Sequence, residues 1–204
     1  SYGLFFALVA NDRATFDRLV ALCTERGIHL FSDEVYRGLE RRAEIRLPQA
    51  AEVYDRGISL NVMSKAYGLP GLRVGWIACQ DRALLSRMER IKHYLSICNA
   101  GPSEHLAIIA LKARERILGR NLALIDTNLE AMNAFFGEFA EIFDWRLPDG
   151  GCIGFPRYKG KDGVETFCRR WAEEIGAVLL PAGMYQSALT STPTDRFRIG
   201  LGRR

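Results

Sequence analysis

Two apolar runs, 58–63 and 73–79, flank the loop SKAYGLPGL. The loop carries Gly68, Pro70 and Gly71, and it is too short to hold a helix. Parallel strands need a crossover of roughly a dozen residues or more. These two runs are therefore expected as antiparallel neighbours. Upstream the pattern differs. Phe16, Leu19, Val20, Leu22 and Cys23 mark one face of a helix over 12–26. Asn11 or Asp12 can cap its start and Gly27 its end. An apolar strand, 28–31, follows at once and ends at Ser32-Asp33-Glu34. Helix then buried strand is the rhythm of a parallel sheet. A chain that asks for both arrangements is expected to build an α/β fold around a mixed sheet.

The remainder divides in the same way. Residues 40–57 read as a charged surface excursion. Asp81 caps a helix with Leu84, Leu85, Met88, Ile91 and Tyr94 on one face. The pattern breaks over 96–102, and Ser103 can cap a second helix, with Leu106 where a capping box wants Glu or Gln. Helical spacing runs over 106–120 and resumes to 143. That stretch reads as the passage from a larger domain, 1–120, to a smaller one, 121–204. Strands at 145–147 and 152–155, a helix at 163–175, and strands at 177–180 and 196–201 give the smaller domain an α+β order.

Of the 204 residues, 48% are hydrophobic and 25% charged, as in ordinary soluble globular chains. The net charge of +4 is spread out, and Arg41-Arg42 and Arg203-Arg204 are its densest spots. A solvated surface explains this better than nucleic-acid binding. The five cysteines, 23, 79, 98, 152 and 168, are odd in number and lack metal-ligand spacing. They read as buried thiols of a reducing, cytoplasmic compartment, and no metal site is expected. The start, SYGLFFALVAND, has no basic flank or clear cleavage site. It reads as neither leader nor membrane span.

Four residue types near the short loop invite a chemical reading. Lys65 stands at the mouth of a strand, and Arg73 lies eight residues on, past a glycine turn. A lysine amine forms a Schiff base when burial or nearby positive charge lowers its pKa. An arginine fork suits phosphate. Asp33 ends a parallel strand, where ligands gather in open α/β sheets, and Tyr36 follows three residues later. Each has an ordinary reading as well. Asp33 can be a helix cap, Tyr36 a surface tyrosine, Lys65 a surface lysine and Arg73 half of an ion pair. Taken together, the amine, guanidinium, carboxylate and phenol describe a pocket for pyridoxal phosphate.

The blocks SDEVY (32–36), SKAYGLPGLRVGW (64–76) and FRIG (197–200) resemble the fold-type I pyridoxal-phosphate enzymes, specifically the class I/II aminotransferases. The resemblance covers nearly the whole chain and corresponds to the family's carboxyl-terminal half. It implies part of the large-domain mixed sheet with a smaller α+β domain. It also implies roles. Lys65 looks like the Schiff-base lysine and proton shuttle, and Asp33 like the partner of the pyridinium nitrogen. Tyr36 looks like the phenol at the 3-oxygen, Arg73 like a phosphate ligand, and Arg198 like the clamp on the substrate carboxylate. Amino acids and 2-oxo acids are the implied substrates. Asn99 and Ser103 resemble a loop near the family's dimer interface, although turn formation and capping explain them almost as well. Tyr67 and Trp76 read as core, Gly150-Gly151 as a turn, and His29, His93 and His105 carry no motif.

Two departures stand out. Val62 occupies a position where relatives often carry a phosphate-binding Ser or Thr. SYGLFF stands near the place of an NPTG-like block, whose asparagine is absent. A half sheet leaves edges and apolar faces uncovered, so a homodimer or association with a complementary half is expected. Two other readings accompany transamination. One is a non-catalytic remnant or interaction module. The other is a lyase or cyclase, because GLPGLRVGW and CNAGPSE also look similar to capreomycidine-synthase-like enzymes.

Overall fold

The computed structural model describes residues 3–7, 12–189 and 191–203. Two compact units emerge: Ser1–Leu122 with Asp149–Gly151, and Ala123–Pro148 with Cys152–Arg204.

In the first unit, strands β1 (Gly3–Ala7), β2 (His29–Asp33), β3 (Gly57–Val62) and β4 (Gly75–Cys79) lie side by side in chain order. The first three run parallel; β4 is antiparallel to β3, with Val62 opposite Gly75. The mixed sheet expected from the short loop is present. Helix α1 (Arg13–Arg26) begins where Asp12 accepts a 2.8 Å hydrogen bond from the Thr15 amide. It ends at Gly27, whose φ of 61° suits a residue without Cβ.

The excursion at 40–57 is only partly a surface feature. It contains a short helix, α2 (Ala50–Val53), and Ala50, Ala51 and Tyr54 are buried. Gly57, lacking a Cβ, lets its backbone approach that of Ala50. A Cβ at Gly57 would stand 2.1 Å from the Ala50 oxygen. Tyr54 donates its hydroxyl to the Cys23 and Ile28 carbonyls. Cys23, Leu30, Ala50 and Tyr54 thereby form the core under one face of the sheet.

Helix α3 (Arg82–Leu95) is capped by Asp81, as expected. Helix α4 (Gly101–Lys112) starts earlier than expected. Ala100 is its cap residue and Pro102 sits in the first turn, so Ser103 is helical rather than capping. Helix α5 (Arg114–Glu138) follows and stops short of residue 143.

The second unit is built around aromatic rings. Phe136, Phe143, Val164, Cys168 and Phe197 are buried together. Strand β5 (Phe143–Asp144) pairs with β7 (Arg157–Tyr158), which the sequence pattern did not reveal. The expected strand at 145–147 does not form. Trp145 instead stacks on Phe136 at 4.8 Å and donates its indole N–H to Asn133. Strands β6 (Ile153–Gly154), β8 (Leu180–Pro181) and β9 (Phe197–Gly200) form an antiparallel sheet in the order β6-β9-β8. Helix α6 (Val164–Ile175) contributes Val164 and Cys168 to the core.

The cysteines do not behave as one class. Cys23 and Cys168 are buried, Cys79 and Cys152 half-buried, and Cys98 exposed, and none of the five is in a disulfide. The expectation of uniformly buried thiols is corrected here, because Cys98 lies in the loop between α3 and α4. No helix of the described residues is long and apolar enough to cross a membrane.

Candidate active site

Asp33 and Lys65 come from neighbouring parallel strands. Asp33 is the last residue of β2 and pairs in register with Leu60 of β3. Two residues after Leu60 that strand ends, and the chain turns through Lys65. Both groups therefore stand at the carboxyl end of the sheet. Asp33, Leu60 and Val62 also share one face, opposite the face covered by the Leu30 core.

Local hydrogen bonds hold this end together. The Asp33 carboxylate accepts from the Val35 amide at 3.2 Å, which tightens the turn after β2. Asp33 is half-buried and caps no helix. Glu34, its buried neighbour, accepts from the Ala50 amide (2.9 Å) and from the Ser59 hydroxyl (2.7 Å). One carboxylate thus ties β2, β3 and α2 together beneath the Asp33 turn. The Ala66 amide donates to the Val35 carbonyl at 3.3 Å and joins the Lys65 turn to the Tyr36 turn. Lys65 Nζ lies 5.9 Å from the centre of the Tyr36 ring. That is cation–π range, and Lys65 is otherwise exposed.

Arg73 does not open strand β4 as the pattern suggested. It closes the single 3₁₀ turn Pro70–Leu72, with φ 53° and ψ 34°. A left-handed backbone costs a residue with Cβ about 1–2 kcal/mol. Such strain persists where the surroundings impose it, and it gathers at functional sites. The Arg73 guanidinium donates to the Pro70 carbonyl at 3.1 Å and is exposed. Val62 has a packing role. A Cβ on Gly75 would lie 2.9 Å from its Cγ1, so valine and glycine interlock across the β3–β4 pair. Tyr67 is buried and Trp76 half-buried, with rings edge-on at 6.5 Å. Burial pushes the Tyr67 hydroxyl above its ordinary range.

Arg198 belongs to the second unit, in β9, and donates to the Tyr185 hydroxyl at 3.2 Å. Asn99 donates to Glu104 at 3.0 Å, a local bond across the start of α4.

Glu34 and Asn121 were not singled out from the sequence, and Gly151 was read only as part of a turn. Glu34 lies inside the quoted SDEVY block, but its burial depends on α2. Gly151 (φ 75°) closes on Leu39 through its amide, and a Cβ there would touch the Tyr36 ring at 3.7 Å. Asn121 donates to the Ala66 carbonyl at 2.8 Å, next to Lys65. Only the glycine pair at 150–151 left a sequence signal. Among the described residues, no group of three or more His, Cys, Asp or Glu side chains could hold a metal ion.

Comparison with known proteins gives a consistent result. The family model "Aminotransferase class I and II" matches residues 9–202. Capreomycidine synthase of Streptomyces vinaceus is 31% identical over 156 residues, covering 76% of this chain and 38% of that protein. Aspartate aminotransferase of Thermotoga maritima is 25% identical over 179 residues, covering 87% of this chain and 45% of that protein. A PLP-dependent aminotransferase from Streptococcus suis superposes with a TM-score of 0.89 at 26% identity, covering 99% of this chain and 53% of that one. The chain therefore spans about half the length of these relatives or less.

Proposed function

Since this chain belongs to the class I and II aminotransferase family, we propose that it serves a pyridoxal-phosphate-dependent transamination, moving an amino group between an amino acid and a 2-oxo acid. The observation that carries this reading is the meeting of Lys65, Asp33 and Tyr36 at the carboxyl end of β2 and β3, stitched by the Ala66–Val35 hydrogen bond. Arg73 follows on the return to β4.

These donors fit the cofactor group by group. Lys65 supplies the amine that would hold it as a Schiff base, and the same amine would take and return the proton at the substrate α-carbon. Asp33 would accept from a protonated ring nitrogen. Tyr36 would donate to the ring oxygen, and Arg73 would offer a planar fork to the phosphate. Arg198 would pair with the substrate carboxylate. When bound, the cofactor supplies the electron sink that acidifies that α-carbon. Val62 offers the phosphate no hydroxyl, which leaves Arg73 a larger share of that contact.

The test adds pyridoxal phosphate to the purified chain and records the absorbance of the lysine-bound cofactor, with Lys65→Ala as control. A band in the wild type that Lys65→Ala abolishes is expected. An equal band in both proteins, or none in either, overturns the cofactor reading. A screen of amino donors then separates an enzyme from a binding remnant.

A second reading, cyclisation or elimination on the same groups, is supported by the 31% identity to capreomycidine synthase. Product analysis with candidate amino acids decides between them, since only transamination yields a 2-oxo acid together with an aminated cofactor.

The reading extends to assembly and compartment. Tyr94, Leu95 and Ile97 are 91%, 74% and 73% exposed at the end of α3 and just beyond it. A surface of that kind favours a homodimer or a complementary half. Sedimentation at micromolar concentration is expected to show association, and a monomer throughout overturns it. Five cysteines with no disulfide among them suit a reducing, cytoplasmic setting. No nucleic-acid or membrane partner is part of this reading.

A further inference from the structure

We propose that Asn121 is a positioning residue for Lys65, an inference that rests on Lys65 being the cofactor's lysine. Three backbone bonds fasten the turn that carries it. Gly68 N–H donates to the Lys65 carbonyl (2.9 Å), Leu69 N–H to the Met63 carbonyl (2.9 Å), and Ala66 N–H to the Val35 carbonyl (3.3 Å). The Ala66 carbonyl, one peptide beyond the lysine, is a further acceptor. Its donor is a side chain, Nδ2 of Asn121 in α5, at 2.8 Å.

The amide is held at both ends. Asn121 Oδ1 accepts from Arg120 Nε (3.3 Å) and Nη2 (3.1 Å). The Ala66 carbonyl selects the N–H₂ end, since only that end donates, and the exposed Arg120 contact takes up the other end. Gly68 makes room for it. Its φ is 68°, and a Cβ there would stand 3.3 Å from Nδ2. The two peptides that follow Lys65 are thus held by different partners. The first is tied to the turn between Asp33 and Tyr36, the second to α5. Together they fix the direction in which the Lys65 stem leaves the backbone. The stem itself is long and flexible, so the backbone is where its aim is set.

Removing the donor leaves the second peptide free to rock. Segments with fewer fixed backbone bonds open more often. Asn121→Leu keeps the branching without the N–H₂, and Asn121→Ala is the smaller second variant. Arg120→Ala is the control, because it leaves the Asn121–Ala66 bond in place.

Two readouts are needed. The first is amide hydrogen exchange over residues 63–69 in protein without cofactor. The second is borohydride trapping of subsaturating pyridoxal phosphate, with the labelled peptide mapped to Lys65. Both Asn121 variants are expected to exchange about tenfold faster over this segment and to trap about tenfold less label, while Arg120→Ala stays near wild type. A turn that exchanges and traps like wild type in both variants overturns the proposal. If the wild type traps no label at Lys65, the cofactor reading fails. In that case the exchange arm still decides whether Asn121 holds the turn.

Discussion

The two units of this chain hold themselves together by different means. In the second, Phe136, Phe143 and Phe197 meet edge-on, Tyr158 stacks on Phe167 at 4.3 Å, and α6 closes the cluster. Burial of rings carries that unit. In the first, one sheet face is packed by α1 and α2, but α3 has no buried residue. The end that carries Asp33, Tyr36 and Lys65 is fastened by hydrogen bonds: Glu34 to Ala50 and Ser59, Ala66 to Val35, and Asn121 to Ala66. A self-contained core tolerates solvent on every side. At the carboxyl end of the first unit's sheet, directional bonds take the place of ring packing. The apolar side chains Ile91, Tyr94 and Leu95 of α3 remain exposed.

Substitutions can break this contrast. The largest effect is expected for Phe143→Ala. It removes a ring packed against Phe136, Tyr158, Phe167 and Phe197, and about 3–5 kcal/mol of stability should be lost in chemical denaturation. A loss below about 1 kcal/mol would show that the aromatic cluster is not the source of that unit's stability.

A smaller effect sharpens the contrast through pH. Burial, reinforced by Glu165, pushes the Cys168 thiol up to about 11 from 9.0. The folded chain keeps this proton where the unfolded chain releases it. The resulting stability is complete below pH 9 and is lost as pH rises toward 11. Wild type should therefore lose on the order of 1–2 kcal/mol more than Cys168→Ala between those limits, and parallel curves for the two proteins would refute the assignment.

The smallest effect on stability belongs to the first unit. Tyr94→Ser with Leu95→Ser should change the unfolding free energy by no more than about 0.5 kcal/mol, because neither side chain is buried. The same double variant should weaken self-association in sedimentation. Lost stability with association unchanged would mean that α3 packs on its own unit.

The mixed sheet was legible because loop length alone rules out a parallel crossover between β3 and β4. The ends of α1 were legible because Asp12 and Gly27 are local devices. The candidate site was visible for a similar reason. Asp33, Tyr36, Lys65 and Arg73 occupy short blocks whose spacing is set by strand and turn. What escaped was non-local. Strand β7 depends on a partner strand earlier in the chain, with Tyr158 facing Phe143 15 positions before it, and its own residues show no strand pattern. Ala50 and Ala51 looked like part of a charged loop, and their burial depends on Gly57 passing beneath them. Asn121 lies 55 positions from the carbonyl it holds.

The sequence by itself therefore determined the elements β2, β3 and β4 and the order of the candidate residues along them. Those follow from periodicity, turn chemistry and spacing, which act over a few residues. Only the tertiary structure decided how the groups are held. The left-handed backbone of Arg73, the carboxylate of Glu34 beneath the Asp33 turn, and the Asn121 amide on the Lys65 turn all arise from segments meeting in space. A hydrogen bond acts across about 3 Å regardless of chain separation, so such bonds leave no periodic trace in the chain that makes them.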